Sequence, residues 1–328
     1  MSLWIRKSIF LVSHLAVVLL GLNWGASEVD LWSLLQNATE FSDVFWEIRL
    51  PRIFVALICG ASLAMAGVIS QGFFRNSLAG PSILGTSSGS NFFVILFFLY
   101  FGLPSSWYVV PALAFFGASI ATIAIVAIAR LGFLQSNTQQ LLLTGLALNA
   151  LFGALSTFTI SLSLEDYGLS QMMVRWVMGG ISFASWDHVI LGFPLALSGL
   201  ILGRLVCIRL DLFNLGEDIA TSLSVSKERL QWSCIMVIAV LVSAAVSLSG
   251  GITFVGLLVP HFTRKLLGSD HKQLLYWSAL NGATVVLLSD SLARNIVRPS
   301  EIPVGAVIAL IGAPSFILLL LSKRAEYA

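Results

Sequence analysis

Long, nearly uncharged apolar runs recur along the chain, separated by short polar connections. Within a run the apolar residues are continuous, without the two-residue alternation of a barrel strand, so the pattern predicts α-helices. The runs fall at about 5–22, 51–74, 84–102, 107–129, 139–162, 187–207, 230–248, 252–267, 272–296 and 303–321. A helix needs about 20 apolar residues to cross a hydrocarbon core of about 30 Å, and most runs meet that length. Pro51 opens the second run, where a helix's first turn tolerates proline. The segment 28–49 is polar, and 76–81 predicts a turn. The mixed segment 165–185 predicts a short interfacial helix ending at Gly179-Gly180. The expected fold is an all-α polytopic membrane protein with ten transmembrane helices, forming one membrane domain over residues 1–328.

One stretch breaks the pattern. Residues 209–229 carry Arg209, Asp211, Glu217, Asp218, Lys227, Glu228 and Arg229. So many charges belong outside the hydrocarbon. Gly216 can stop one short helix there, and Glu217-Asp218 can favour the start of the next, because acidic groups suit a helix N-terminus.

Composition agrees with the membrane reading. Hydrophobic residues make up 57% of the 328, and charged residues only 10%, too few to cover a soluble surface. Arg6-Lys7 and the run behind them resemble a signal peptide, but no small-x-small cleavage site follows, so an uncleaved first span is expected. With both termini inside, thirteen of the 18 Lys and Arg residues lie on the cytoplasmic side, Arg75, Arg204, Arg209, Lys227, Arg229, Arg264 and Lys265 among them. The outer side keeps Arg49, Arg52, Arg175, Arg294 and Arg298. Positive charge marks the cytoplasmic side, so the stretch 209–229 is placed in the cytoplasm.

The two halves, about 1–185 and 186–328, echo each other. Arg52 leads into the small-residue run 60–67, and Arg229 into the small-residue run 243–251. Five spans each would make the halves inverted repeats. Small residues let helices approach closely in lipid. Tight packing is the plain reading of both runs; interfaces able to slide are the functional one.

Other motifs carry less. Cys59, Cys207 and Cys234 sit in or beside apolar runs and read as core residues, without disulfide or metal spacing. His14, His188, His261 and His271 are scattered, and His261 follows Pro260 at a potential kink. Gly85-Thr-Ser-Ser-Gly89 matches a G-x-S-x-G nucleophile pattern, but opens a membrane helix without a strand-turn-helix context. A small-xxx-small packing face is the alternative. Asp290, Arg294 and Arg298 stand i, i+4, i+8, the spacing of a local ion pair worth a few tenths of a kcal/mol. Arg49, Arg52 and Arg294 read either as dispersed surface charge or as a basic rim for an acidic partner. No carboxylate lies at mid-span, which argues against a proton-coupled carrier. No G-x-x-x-x-G-K-[ST] loop is present, so any ATP engine by that route is a separate subunit.

Several segments together resemble the FecCD-type permeases, the membrane subunits of ABC importers for ferric siderophores, haem and cobalamin. They are 48–52 (Ile-Arg-Leu-Pro-Arg), 60–67, Gln71, 75–85 (Arg-Asn-Ser-Leu-Ala-Gly-Pro-Ser-Ile-Leu-Gly), 178–180, 215–220, 251–261, 301–305 and 312–314, in order over nearly the whole chain. The resemblance implies a type II ABC importer permease in the bacterial inner membrane. It implies a second permease subunit, identical or paralogous, two ATPase subunits holding ATP and magnesium, and a periplasmic substrate-binding protein. It implies no catalytic residue, metal or cofactor in this chain, and no nucleic-acid partner.

By position, Arg49, Arg52 and Arg294 match arginines that meet glutamates of the binding protein. Leu215, Gly216, Glu217, Asp218, Ala220, Leu223 and Val225 match the coupling helices, about 211–228, that sit in the ATPase. Asn76, Leu78 and Thr138 match the cytoplasmic gate. Ser77 stands where the family has proline, so the shape of that turn is open. A ferric siderophore is the expected cargo, with haem and cobalamin as alternatives. A proton-coupled carrier or an intramembrane hydrolase acting through Ser87 are the readings from other classes.

Overall fold

The computed structural model describes residues 3–23, 43–104, 106–130, 138–223, 225–297 and 300–325, and among these it contains helices and turns without strands. The helices are α1 (Leu3–Asn23), α2 (Leu50–Phe73), α3 (Thr86–Phe101), α4 (Val109–Arg130), α5 (Thr138–Ser161), α6 (Tyr167–Met178), α7 (Trp186–Asn214), α8 (Glu217–Ser222), α9 (Lys227–Ser249), α10 (Val255–Leu267), α11 (His271–Asn295) and α12 (Val304–Ala325). A π-helical turn, Val44–Arg49, leads into α2, and a 3-10 turn, Pro81–Leu84, precedes α3. Each predicted apolar run has become a helix. The interfacial helix is α6, with Asp166 accepting from the Leu169 amide at 3.0 Å at its start and Gly179 at its end. Most of the polar segment 28–49 lies outside the described residues.

Among the described residues four helices are long and apolar enough to cross a membrane: Val44–Phe73, Gln140–Ser161, Trp186–Asn214 and Lys227–Ser249. Shorter apolar helical stretches occupy Phe10–Leu22, Thr86–Phe101, Val109–Ile125 and Val304–Leu319.

Helix α2 is the hub, packing against α11, α9, α7 and α10. Its apolar window is 83% buried and that of α9 is 78%, whereas α5 and α7 are 22% buried and present apolar faces outward. The cause is side-chain size. A Cβ at Gly60 would overlap the Gly282 carbonyl of α11, and a Cβ at Gly67 would overlap the Gly256 carbonyl of α10. Backbone therefore meets backbone at both crossings, the approach that small residues permit in lipid. The second small-residue run ends α9 in the same manner, with Gly250 against the carbonyl of Trp176 in α6.

Two elements differ from the sequence expectation. Helix α7 does not stop near Cys207 but continues to Asn214, into the charged stretch. Nothing between Ile208 and Phe213 breaks a helix, and Leu210 is fully buried, so the helix propagates while one face still packs. Helix α10 starts at Val255 rather than Ile252, because Phe254 sits in the left-handed region at φ 63 and ends the preceding irregular segment.

Candidate functional site

The charged stretch is built from the end of α7, a hinge and α8. Leu215 caps α7, and Gly216 takes φ 143, a backbone that side chains rarely adopt. Helix α8 follows. Ala220 is fully buried, and its carbonyl accepts from both Leu223 N (3.2 Å) and Val225 N (2.9 Å), closing the turn. Leu215 and Leu223 are 68% and 54% exposed, and Val225 is half-buried. Asp218 is exposed, and the Glu217 side chain lies outside the described residues. The expected pair of short helices is therefore one long helix end plus one short helix. The exposed leucines therefore lie at the two ends of the segment formed by Gly216 and α8.

The turn after α2 carries Asn76 and Leu78. Asn76 Oδ1 accepts from the Leu78 amide at 2.9 Å, its own amide donates to Gln71 O at 3.2 Å, and its carbonyl accepts from Ala79 N at 3.0 Å. This side-chain-closed turn forms with Ser77 between Asn76 and Leu78. Asn76 is exposed and Leu78 half-buried. Thr138 opens α5, and its side chain lies outside the described residues. Helix α5 reaches the same loop further along: Asn149 Nδ2 donates to Ser82 O (2.9 Å) and Ile83 O (3.2 Å). Ser88 Oγ donates to Asn149 Oδ1 at 2.7 Å.

That contact also resolves the G-x-S-x-G match. Ser88, not Ser87, is engaged, and with an asparagine. Among the described residues no histidine or carboxylate bonds Ser87. Gly89 instead faces Gly117 of α4, where a Cβ would meet the Gly117 carbonyl at 2.8 Å. The motif is a packing face.

At the other end of α2 the arginines come together. Arg52 forks onto Asp290 of α11, with Nη2–Oδ1 at 2.8 Å and Nε–Oδ1 at 3.0 Å. Its Nη1 donates to Glu301 Oε1 at 3.0 Å. Arg294 Nε pairs with Asp290 Oδ2 at 3.1 Å, and Ser182 Oγ donates to Glu301 at 2.9 Å. Asp290 is fully buried, and Arg52 and Arg294 are nearly so. Arg49 is also buried and donates Nη1 to Leu22 O at the end of α1, at 2.6 Å. The expectation of a local i, i+4 surface pair is thus too small: Asp290 is the centre of a four-residue network. Arg298 lies outside the described residues.

Other cross-links were not anticipated. Gln71 Nε2 donates to Leu257 O (2.8 Å), and Arg264 Nη1 donates to Gln71 Oε1 (3.0 Å), tying α2 to α10. Asp211 Oδ1 lies 2.6 Å from His271 Nδ1, tying α7 to α11. Arg75 reaches Phe213 and Asn214. Polarity inside an otherwise apolar helix is the sequence signal for Gln71; for Glu301 and Arg75 the sequence marks the residue but not its distant partner. Among the described residues no group of three or more His, Cys, Asp or Glu could hold a metal ion. The three cysteines are buried and unpaired by disulfide. The arrangement is a set of ion networks and close glycine crossings between helices.

Comparison with known proteins agrees in kind. The model of the FecCD transport family matches residues 11–322. The hemin transport system permease protein HmuU of Yersinia pestis is 38% identical, covering 97% of this chain and 96% of that protein. The vitamin B12 import system permease protein BtuC of Vibrio cholerae is 38% identical, over 98% and 95% of the two chains. The Fe(3+) dicitrate transport system permease protein FecD of Escherichia coli is 36% identical, over 96% and 98%. Among solved structures, an inward-facing ABC transporter described as of metal-chelate type superposes with TM-score 0.82 at 32% identity, covering 96% of this chain and 99% of that one.

Proposed function

The chain belongs to the FecCD transport family and is a membrane permease subunit of an ABC importer, with ATP hydrolysis in a separate subunit; from this premise we propose that its cargo is a ferric iron chelate of the siderophore type. The observation that carries the permease reading is the family match over residues 11–322. What supports this cargo is the Fe(3+) dicitrate named for one of the relatives, a ferric ion held by an organic chelator. Haem and cobalamin are the competing cargoes. Uptake of a labelled ferric chelate, hemin and cyanocobalamin by the assembled transporter separates them. Preference for the chelate supports the proposal, and preference for either macrocycle overturns it.

The working arrangement we propose has ten spans in two inverted halves, both termini in the cytoplasm and the whole in a bacterial inner membrane. A second permease subunit, identical or paralogous, completes the pathway. Two ATPase subunits dock on Leu215, Gly216, Glu217, Asp218, Ala220, Leu223 and Val225. A periplasmic binding protein docks where Arg49, Arg52 and Arg294 gather, and its glutamates compete with the exposed Glu301 for the Arg52 guanidinium. Asn76, Leu78 and Thr138 gate the cytoplasmic mouth. The glycine crossings of α2 with α10 and α11 support this reading, since bare backbone contacts leave few interlocked side chains to resist sliding. ATP binding elsewhere then biases two packed arrangements of the same helices.

A further inference from the structure

Arg75 lies between the end of α2 and Asn76. Its backbone is left-handed, with φ 48, where a non-glycine residue is strained and glycine is not. The chain nevertheless places an arginine there. Its side chain is committed to the end of α7: Nη2 donates to Phe213 O at 2.8 Å, Nε donates to Asn214 Oδ1 at 3.2 Å, and the guanidinium carbon stands 4.8 Å from the Phe213 ring centroid.

The two ends of that contact are informative. On one side the next residue is Asn76, which closes the gate turn. On the other, Asn214 is two residues before the Gly216 hinge that begins α8. One guanidinium therefore spans from the gate turn to the base of the coupling segment. The far side of the same loop is held to α5 through Asn149. Arg75 is exposed, so water competes for its donors and the contact can open and close. Strain kept at one residue, with its side chain committed to a distant helix end, points from geometry to role.

We propose that Arg75 is a positioning residue that latches the gate turn to the end of α7, so that displacement of α8 by an ATPase moves Asn76 with it. The latch rests on the importer reading given above. It binds neither cargo nor nucleotide. Its loss lets α8 move while the gate turn lags, and ATP is then hydrolysed without passage of cargo.

The test uses the complete transporter in liposomes, with its ATPase, partner permease and binding protein. Ferric dicitrate, hemin and cyanocobalamin serve as probe cargoes. Arg75→Ala is expected to keep ATPase activity within about twofold while cargo moved per ATP falls about tenfold, the span of a coupling change within a packed network. Arg75→Lys, which can still reach Phe213 O, is expected to recover part of the loss. Arg75→Gly relieves the backbone strain and is expected to behave like Arg75→Ala. If Arg75→Ala fails to assemble, Arg75→Met keeps the length of the side chain and removes every donor to Phe213 and Asn214. The same uncoupling is expected there. Wild-type cargo per ATP in the alanine or the methionine variant overturns the latch, as does a glycine variant equal to wild type, which would make residue 75 a turn former only. Equal loss of hydrolysis and uptake with wild-type stability overturns it too. Absence of ATP-dependent uptake in the wild-type complex is a separate failure, that of the importer reading.

Discussion

Arg52 and Asp290 are 238 residues apart in sequence and hold each other by a fork of hydrogen bonds at 2.8 and 3.0 Å, with Asp290 fully buried. The pair ties the N-terminal end of α2 to α11. Arg294 and Glu301 complete the charge balance, so two guanidinium groups face two carboxylates. A buried ion pair adds little over an apolar pair of the same shape, but breaking one leaves an uncompensated charge.

Asp290→Ala should therefore destabilise the fold strongly. It leaves Arg52 and Arg294 facing each other with one carboxylate between them. The expected loss is about 3 kcal/mol or more, the usual cost of removing one partner of a buried pair. Thermal unfolding in detergent checks this. Replacing Arg52, Asp290 and Arg294 together by apolar residues should cost less than Asp290→Ala alone.

Glu301→Gln should have a smaller structural effect, because the Glu301 side chain is 30% exposed and glutamine retains a hydrogen bond. Exposed pairs contribute about 0–1 kcal/mol. The same change removes one negative charge beside Arg52 while the fork to Asp290 stays, so attraction of an acidic binding protein to this end of α2 should rise modestly. Arg49→Glu should weaken docking, more so at low salt, where charge attraction is least screened. Equilibrium binding across a salt series reads both effects.

At the α2–α11 crossing, Gly60→Val should abolish accumulation of folded protein, since even a Cβ overlaps the Gly282 carbonyl. Gly153→Ala is the control. Nothing lies near a Cβ there, and alanine is the better helix former by roughly 1 kcal/mol. Folded yield by fluorescence-detected chromatography distinguishes them.

Leu215→Asp should leave the permease folded, because Leu215 is 68% exposed. Surface changes of this kind shift stability by only about 0.5 kcal/mol. Affinity for the ATPase should fall at least about tenfold, or 1.4 kcal/mol. Co-purification and titration of the ATPase check it.

Much of the helix order was legible because continuous apolar runs, divided by short polar breaks, are visible in sequence. The end of α6 at Gly179 and the packing role of Gly60 and Gly67 were legible for the same local reasons: a cap and a missing side chain. The length of α7 was not. Charges at Arg209 and Asp211 suggested an end, but charge moves a helix out of lipid without unwinding it. Pairings were invisible wherever partners are far apart in sequence. Arg52 met Asp290, Gln71 met Arg264 and Asp211 met His271 only through the fold. Asn76 shows a finer case: with Ser77 next to it the shape of the turn is open from sequence, and the Asn76 side chain closes it.

The most direct test of the central claim is cargo uptake into proteoliposomes by this chain assembled with its partner subunits. Uptake is measured with ATP inside, with a catalytically inactive ATPase, and with an ionophore that collapses ion gradients. The account predicts uptake that requires ATP hydrolysis and ignores the ionophore. Uptake that survives the inactive ATPase and is abolished by the ionophore would contradict it.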